Sequence, residues 1–150
     1  MRAPGAASDG QFSPDGRWVA YVSKESGREE IYVVPFDANQ VLNTQPLQEV
    51  PTTGKWQVSA TGGAFPRWRR DGQELYYVAP GGQFIAAKVQ AKGNAFFVLQ
   101  TTPLFRESLA QAAFPYDVSP DGQHFVINSF GDTANLPLSL IVNWKESLKQ

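Results

Sequence analysis

The sequence predicts an all-β chain built from propeller blades, and three observations predict it. The turn motif SPDG occurs at residues 13–16 and 119–122, and a variant, RRDG, occurs at 69–72. Each turn precedes a short apolar run, and the Asp-Gly pairs lie 56 and then 50 residues apart. The 13 glycines and 11 prolines punctuate the chain at short intervals. A repeat of this length made of strands is typical of a propeller blade.

The first repeat, about residues 8–60, is predicted to hold four strands. Strands at 8–13 and 18–23 flank the first turn, in which Pro presets φ, Asp bonds its own backbone and Gly accepts a positive φ. A third strand at 30–34 ends at Pro35, which has no N–H for a ladder. The polar residues 37–54 predict a long loop, and a fourth strand follows at 55–59.

The other two repeats follow the same scheme. The second repeat, about 61–105, is predicted to hold strands at 64–69, 74–78, 84–89 and 95–99. The third, about 106–150, is predicted to hold strands at 114–118, 124–128 and 138–143, with a loop at 131–135. Residues 144–150 are too short for another strand, so the last blade is expected to be incomplete and 1–150 to form a single partial propeller domain.

Aromatic residues make up 13% of the chain. Because blades stack face to face, both faces of an internal sheet are apolar. We therefore expect five aromatic side chains of the second repeat to form core between blades: Tyr76, Tyr77, Phe84, Phe96 and Phe97.

Composition excludes several function classes. A net charge of −1 gives no electrostatic case for nucleic acid or an anionic membrane, and the absence of cysteine excludes thiol nucleophiles and disulfides. No apolar run has the length of a membrane span, and residues 1–5 do not resemble a signal peptide. As given, the chain is expected in the cytoplasm.

The repeats resemble the WD40-like β-propeller repeat of the TolB type, whose pattern is an aromatic residue, SPDG and a later strand of the type Ile-Tyr-Val. Phe12 with residues 13–16 and 31–33 matches it, Trp68 with the Asp-Gly of 71–72 matches it in part, and residues 116–122 match it again. The chain is similar to the last blades of propeller sensor domains attached to some bacterial serine/threonine kinases. Such relatives are often extracytoplasmic, and the fold hosts many unrelated functions.

Three blades do not close a ring, because propellers have four to eight. The resemblance implies six blades, so we expect two chains to close one ring as a homodimer with blade 3 of one chain against blade 1 of the other. The alternative is that the chain is a fragment of a longer one.

The first strand of each blade is expected to line the central channel. Gln11, Arg67 and Asp117 occupy equivalent positions before the turns, and Asp9, Phe65 and Pro115 form a second equivalent set. A one-residue slip would exchange the two faces of a strand, so the inward set stays open. The expected ligand-binding residues at the channel mouth are Asp9, Gln11, Arg67, Tyr116 and Asp117.

Two functions remain open. The first is a non-catalytic module that binds a small molecule or peptide at the channel mouth and needs no cofactor. The second is a hydrolase of the esterase, lactonase or phosphotriesterase kind, in which Asp9 and Asp117 of two chains hold a divalent cation such as calcium. Against the second, Asp117 and Arg67 form a structural ion pair in the simpler interpretation, and the single histidine, His124, lies at an ordinary outer position.

Overall fold

The computed structural model describes residues 7–37, 39, 54–110, 115–128 and 138–142, the last of these by backbone alone. Within these residues the chain forms three antiparallel sheets, which we call sheets I, II and III. No helix in this part of the chain has the length and apolar character needed to cross a membrane. The predicted all-β architecture is therefore confirmed for the described residues.

The sheets follow one another along the chain. Sheet I contains β1 (Ala7–Phe12), β2 (Trp18–Ser23), β3 (Glu30–Pro35) and β4 (Trp56–Gln57) in sequential order. Sheet II contains β5 (Ala64–Trp68), β6 (Glu74–Ala79), β7 (Gln83–Lys92) and β8 (Ala95–Arg106), again in sequential order. Sheet III has three strands: β9 (Tyr116–Val118), β10 (His124–Asn128) and β11 (Leu138–Val142).

Two strands are much longer than the sequence predicts. β7 and β8 pair from Gln83 with Arg106 to Lys92 with Ala95, so they form one long hairpin. β9 is shorter than the predicted strand at 114–118 and begins at Tyr116. The predicted loop at 131–135, the terminal segment 144–150 and most of the loop at 37–54 lie outside the described residues.

The three turns have the predicted geometry. The carboxylate Oδ1 atoms of Asp15, Asp71 and Asp121 each accept the backbone N–H two residues further on, at 3.1, 3.0 and 2.9 Å. Each following glycine has a positive φ, between 68° and 71°. Asp-Gly is used here because Asp bonds locally and Gly tolerates the left-handed region.

Two apolar layers hold the sheets together. The first lies between sheets I and II and includes Trp18, Ile31, Leu75 and Phe96. The second lies between sheets II and III and includes Tyr76, Phe84, Tyr116, Phe125 and Ile127. The prediction of core between blades is confirmed for Tyr76, Tyr77, Phe84 and Phe96. It is wrong for Phe97, which is 47% exposed, because neighbouring residues of a strand point to opposite faces.

The leading face of a sheet is the face on the side of the preceding sheet, and the trailing face is the face on the side of the following sheet. The leading face of sheet I and the trailing face of sheet III have no neighbouring sheet among the three. In sheet II the leading face carries Trp68, Leu75 and Tyr77, and all three pack in the first layer. In sheet III the equivalent residues Val118, Phe125 and Ile127 pack in the second layer. The equivalent residues of sheet I are Phe12, Val19 and Tyr21.

Candidate functional site

A backbone irregularity recurs near the start of two first strands. The register of β1 shifts between Ser8 and Gln11, and that of β5 shifts between Ala64 and Arg67. Inside these bulges Asp9 has a φ of 52° and Phe65 a φ of 55°. A positive φ in residues other than glycine costs about 1–3 kcal/mol and concentrates at binding sites. The bulges, and not simple alternation along the strand, set where Asp9 and Phe65 point.

The third repeat differs at the equivalent described position, Pro115, for a chemical reason. Pro115 holds the position that Asp9 and Phe65 hold in the other repeats. Because its ring fixes φ near −65°, proline cannot adopt the left-handed backbone. The carbonyl of Pro115 instead accepts the N–H of Asn128 at 2.8 Å, and β9 begins one residue later. The predicted equivalence of Asp9, Phe65 and Pro115 is therefore one of position and not of backbone shape.

Arg67 and Tyr116 come together between sheets II and III. The guanidinium carbon of Arg67 lies 5.6 Å from the centre of the Tyr116 ring, and its Nη1 donates to the carbonyl of Pro66 at 2.7 Å. The Tyr116 hydroxyl donates to the carbonyl of Phe65 at 2.8 Å. Tyr116 is 3% exposed, and burial raises its pKa well above the usual value. Tyr116 is thus a neutral donor that ties β9 to the bulge in β5.

The other three expected residues lie in more open places. Asp9 and Gln11 are half-buried, and the Gln11 carbonyl accepts the indole N–H of Trp68 at 3.2 Å. Asp117 is exposed and accepts the N–H of Val118 at 2.8 Å. It alternates with Tyr116 along β9, so its side chain lies on the trailing face of sheet III. In the part of the chain that the structure describes, no three His, Cys, Asp or Glu residues converge as a metal site requires.

Sequence reasoning missed a buried carboxylate, Glu30, at the start of β3. Glu30 is fully buried and pairs with Arg28 at 2.5 Å, accepts the N–H of Gly62 at 3.1 Å and bonds the hydroxyl of Ser59. These contacts fix the link from sheet I to sheet II and so position the start of β5. The available signal was an acidic residue at the head of an otherwise apolar strand, residues 30–34.

A cleft of about 530 Å³ lies between sheets I and II at the same end. Its wall includes the bulge residue Phe65 and the charged residues Lys24, Arg28 and Glu29. The end of the sheets at which β1 and β5 begin therefore combines strained backbone, a concave surface and mixed charge. We call it the bulge end. The opposite end, which carries the three Asp-Gly turns, is the turn end.

His124 lies at the turn end, away from the bulges. Its Nδ1 is 3.8 Å from Oδ1 of Asp121 and 3.5 Å from the Ser119 hydroxyl, and the side chain is 43% exposed. The interpretation of His124 as an ordinary outer residue stays a prediction.

Comparison with known proteins identifies the fold. No family model and no curated protein matches the chain. The structure is similar to TolB from Acinetobacter baumannii, with a TM-score of 0.59 and 17% identity over 92% of this chain and 30% of that one. It is also similar to an oligogalacturonate lyase in complex with manganese, with a TM-score of 0.57 and 14% identity over 97% of this chain and 37% of that one.

The chain therefore spans well under half the length of these solved structures. At such identities the likeness shows the fold alone. The antiparallel sheets of this chain form part of a β-propeller.

Proposed function

We propose that this chain is a propeller interaction module in which two copies close a six-bladed ring that binds a small molecule or a peptide at its bulge end. The six-bladed ring is supported by the leading face of the sheets, whose packing in sheets II and III is repeated. Trp68 in sheet II and Val118 in sheet III pack against a preceding sheet, and Phe12 holds the same position in sheet I at 60% exposure.

A second copy supplies the missing neighbour of sheet I. On the trailing face of sheet III, Val126 is 38% exposed. Beside the leading face, the Lys55 ammonium lies 4.4 Å from the centre of the Tyr32 ring and pairs with Glu25, and Asp117 lies on the trailing face. Two chains related by a two-fold axis would bury both pairs of faces at once.

The binding role rests on the bulge end. The strained backbone at Asp9 and Phe65 must be stabilised by its surroundings, and strain of this kind concentrates at ligand sites. Arg67 supplies donors close to the bulge, and Asp9 supplies a carboxylate. The cleft at the same end is lined by Lys24, Arg28 and Glu29, and charged groups on a concave surface suit a polar small molecule or a peptide backbone.

The ring is tested by the mass of the chain in solution. We expect light scattering at tens of micromolar to give twice the 16.5 kDa of one chain. Phe12→Glu places a charge in the shared interface and should give single chains, whereas Phe97→Glu changes an exposed phenylalanine outside both terminal faces and should leave the dimer. A mass of one chain for the unmodified protein, or equal effects of the two variants, would contradict the proposal.

A metal-assisted hydrolase is the second candidate, and one similar structure does hold manganese. In that case Asp9 and Asp117 of two copies would hold a cation such as calcium that polarises an ester carbonyl or phosphoryl oxygen. The two candidates separate on an activated nitrophenyl ester and a nitrophenyl phosphotriester. Turnover that is lost both with chelator and in Asp117→Ala supports the hydrolase, and its absence with added calcium or manganese supports the module.

A further inference from the structure

The outer edge of sheet II is formed by β8, the last of its four strands. β8 is 12 residues long, and β7 is the only strand among the described residues that pairs with it. Residues 93–105 contain no charged side chain. Natural edge strands are ordinarily protected by charges, proline or bulges, because their free N–H and C=O groups pair readily with another strand.

The register of the hairpin shows which backbone groups of β8 face outward. Its two-residue loop makes Lys92 and Ala95 a hydrogen-bonded pair, so the alternate residue Phe97 also bonds to β7. The N–H and C=O groups of Phe96 and Val98 alternate with these and point away from β7. Two donors and two acceptors therefore face outward in this part of the edge.

A bulge ends this regular stretch. The register of β7 and β8 shifts after Val98, where Leu99 is the extra residue. Phe97 and Leu99 are large apolar side chains that stay exposed, at 47% and 53%. Phe96 packs in the layer against sheet I, so its neighbour Phe97 lies on the opposite face of the hairpin. β8 thus combines a short unprotected edge with exposed apolar side chains.

A second copy of β8 fits this edge. With Phe96 of one chain opposite Val98 of the other, antiparallel alignment repeats the pair about a two-fold axis and forms four hydrogen bonds. The axis passes between the two Phe97 residues, which become direct cross-strand neighbours on one face. Lys92 then faces the uncharged residues 101–103 of the partner strand, so no like charges oppose each other.

We propose that β8 joins two copies of this chain by antiparallel edge pairing centred on Phe97. The paired stretch is short, so the contact is weak, with a dissociation constant of about 1 mM, and few chains pair in this way at tens of micromolar. The contact uses neither the leading face of sheet I nor the trailing face of sheet III. It is therefore independent of the proposed ring, and where both form it links one ring to the next.

Disulfide trapping tests the contact directly, because the chain contains no cysteine of its own. Opposed residues of a non-hydrogen-bonded pair have Cα atoms about 4.5 Å apart, which a disulfide can span. Leu99→Cys is the matched control: position 99 is similarly exposed, but its two copies lie about 13 Å apart along the paired strands. Under mild oxidation we expect Phe97→Cys to form linked dimers at least about tenfold faster than Leu99→Cys.

Amide hydrogen exchange of the unmodified chain gives a second measurement. Raising the concentration from about 0.05 to 1 mM should slow exchange at Phe96 and Val98, whose outward N–H groups gain acceptors. Exchange at Thr101, an outward amide beyond the bulge, should not change. Equal rates of linking for the two cysteine variants, or exchange at Phe96 and Val98 that does not depend on concentration, would overturn the proposal. A ring without edge pairing would double the mass and leave both measurements at these null results.

Discussion

At the second turn, the guanidinium of Arg69 takes the place of the serine hydroxyl found in the other two. Ser13 and Ser119 each donate to the turn aspartate at 2.5 Å. Arg69 donates to both oxygens of Asp71, at 2.8 and 2.6 Å, and its Nη1 lies 2.9 Å from Glu74. The turn therefore keeps its shape through a different donor. The Arg69 side chain also lies against Gly122 of sheet III.

The Asp71 carboxylate should make stability depend on pH. The hydrogen bonds from Arg69 hold its pKa below the ordinary value of 3.8. Its contribution is thus complete above about pH 4 and is lost as pH falls through the lower, folded-state pKa. We expect Asp71→Asn to lower the free energy of unfolding by about 1 kcal/mol at pH 7, a figure reduced for the exposure of this residue. Urea unfolding should show the difference shrinking below pH 4.

Glu29→Gln is the control for this prediction. Glu29 pairs with Lys24 at 3.1 Å, but both side chains are about half-exposed, so the pair adds little to stability. A difference between Asp71→Asn and the unmodified chain that stays constant from pH 7 to pH 2.5 would contradict the role given to the charge.

The conformations of some single residues could be predicted from the sequence, and those of others could not. The turn roles of Asp15, Asp71 and Asp121 were predictable because Asp-Gly has local chemistry. The left-handed backbone at Asp9 and Phe65 was not, because Phe does not favour it, Asp adopts it only occasionally, and the bulge is imposed by pairing with the second strand. Pro115 was the one usable signal, since proline excludes that backbone.

Among the elements, the β7–β8 hairpin departs furthest from its sequence prediction. The predicted strand at 95–99 stops short of Pro103, yet β8 continues through Pro103 to Arg106. β8 is the edge strand of sheet II, and an edge tolerates a residue that lacks an N–H. Position in a sheet is a tertiary property, so the sequence of the strand alone cannot supply it.

The hairpin should depend on one of its two adjacent phenylalanines. Phe96 is 3% exposed and packs on Trp18, whereas Phe97 is 47% exposed. We expect Phe96→Ala to lower the free energy of unfolding by about 3–5 kcal/mol and Phe97→Ala by less than about 1 kcal/mol. Chemical denaturation of both variants measures this, and equal losses would show that the hairpin does not seal the layer between sheets I and II.

For the whole molecule, the sequence repeat allows equivalent residues of the three sheets to be compared. Trp68 and Val118 are equivalent to Phe12. The packing between sheets I and II and between sheets II and III therefore defines what the leading face of sheet I and the trailing face of sheet III would bury. The repeat spacing predicted this number of sheets. The occupant of the terminal faces is not encoded in any one repeat, since it depends on which chains meet.

A mixing experiment tests whether leading and trailing faces pair with each other. Phe12→Glu damages only the leading face, and Val126→Glu damages only the trailing face. Each variant alone should give single chains, because in a two-fold ring both joints would then carry a damaged face. An equimolar mixture should associate again, since one joint combines the intact trailing face of the first variant with the intact leading face of the second. If Val126→Glu alone stays dimeric, leading faces pair with each other and the chains do not close a ring.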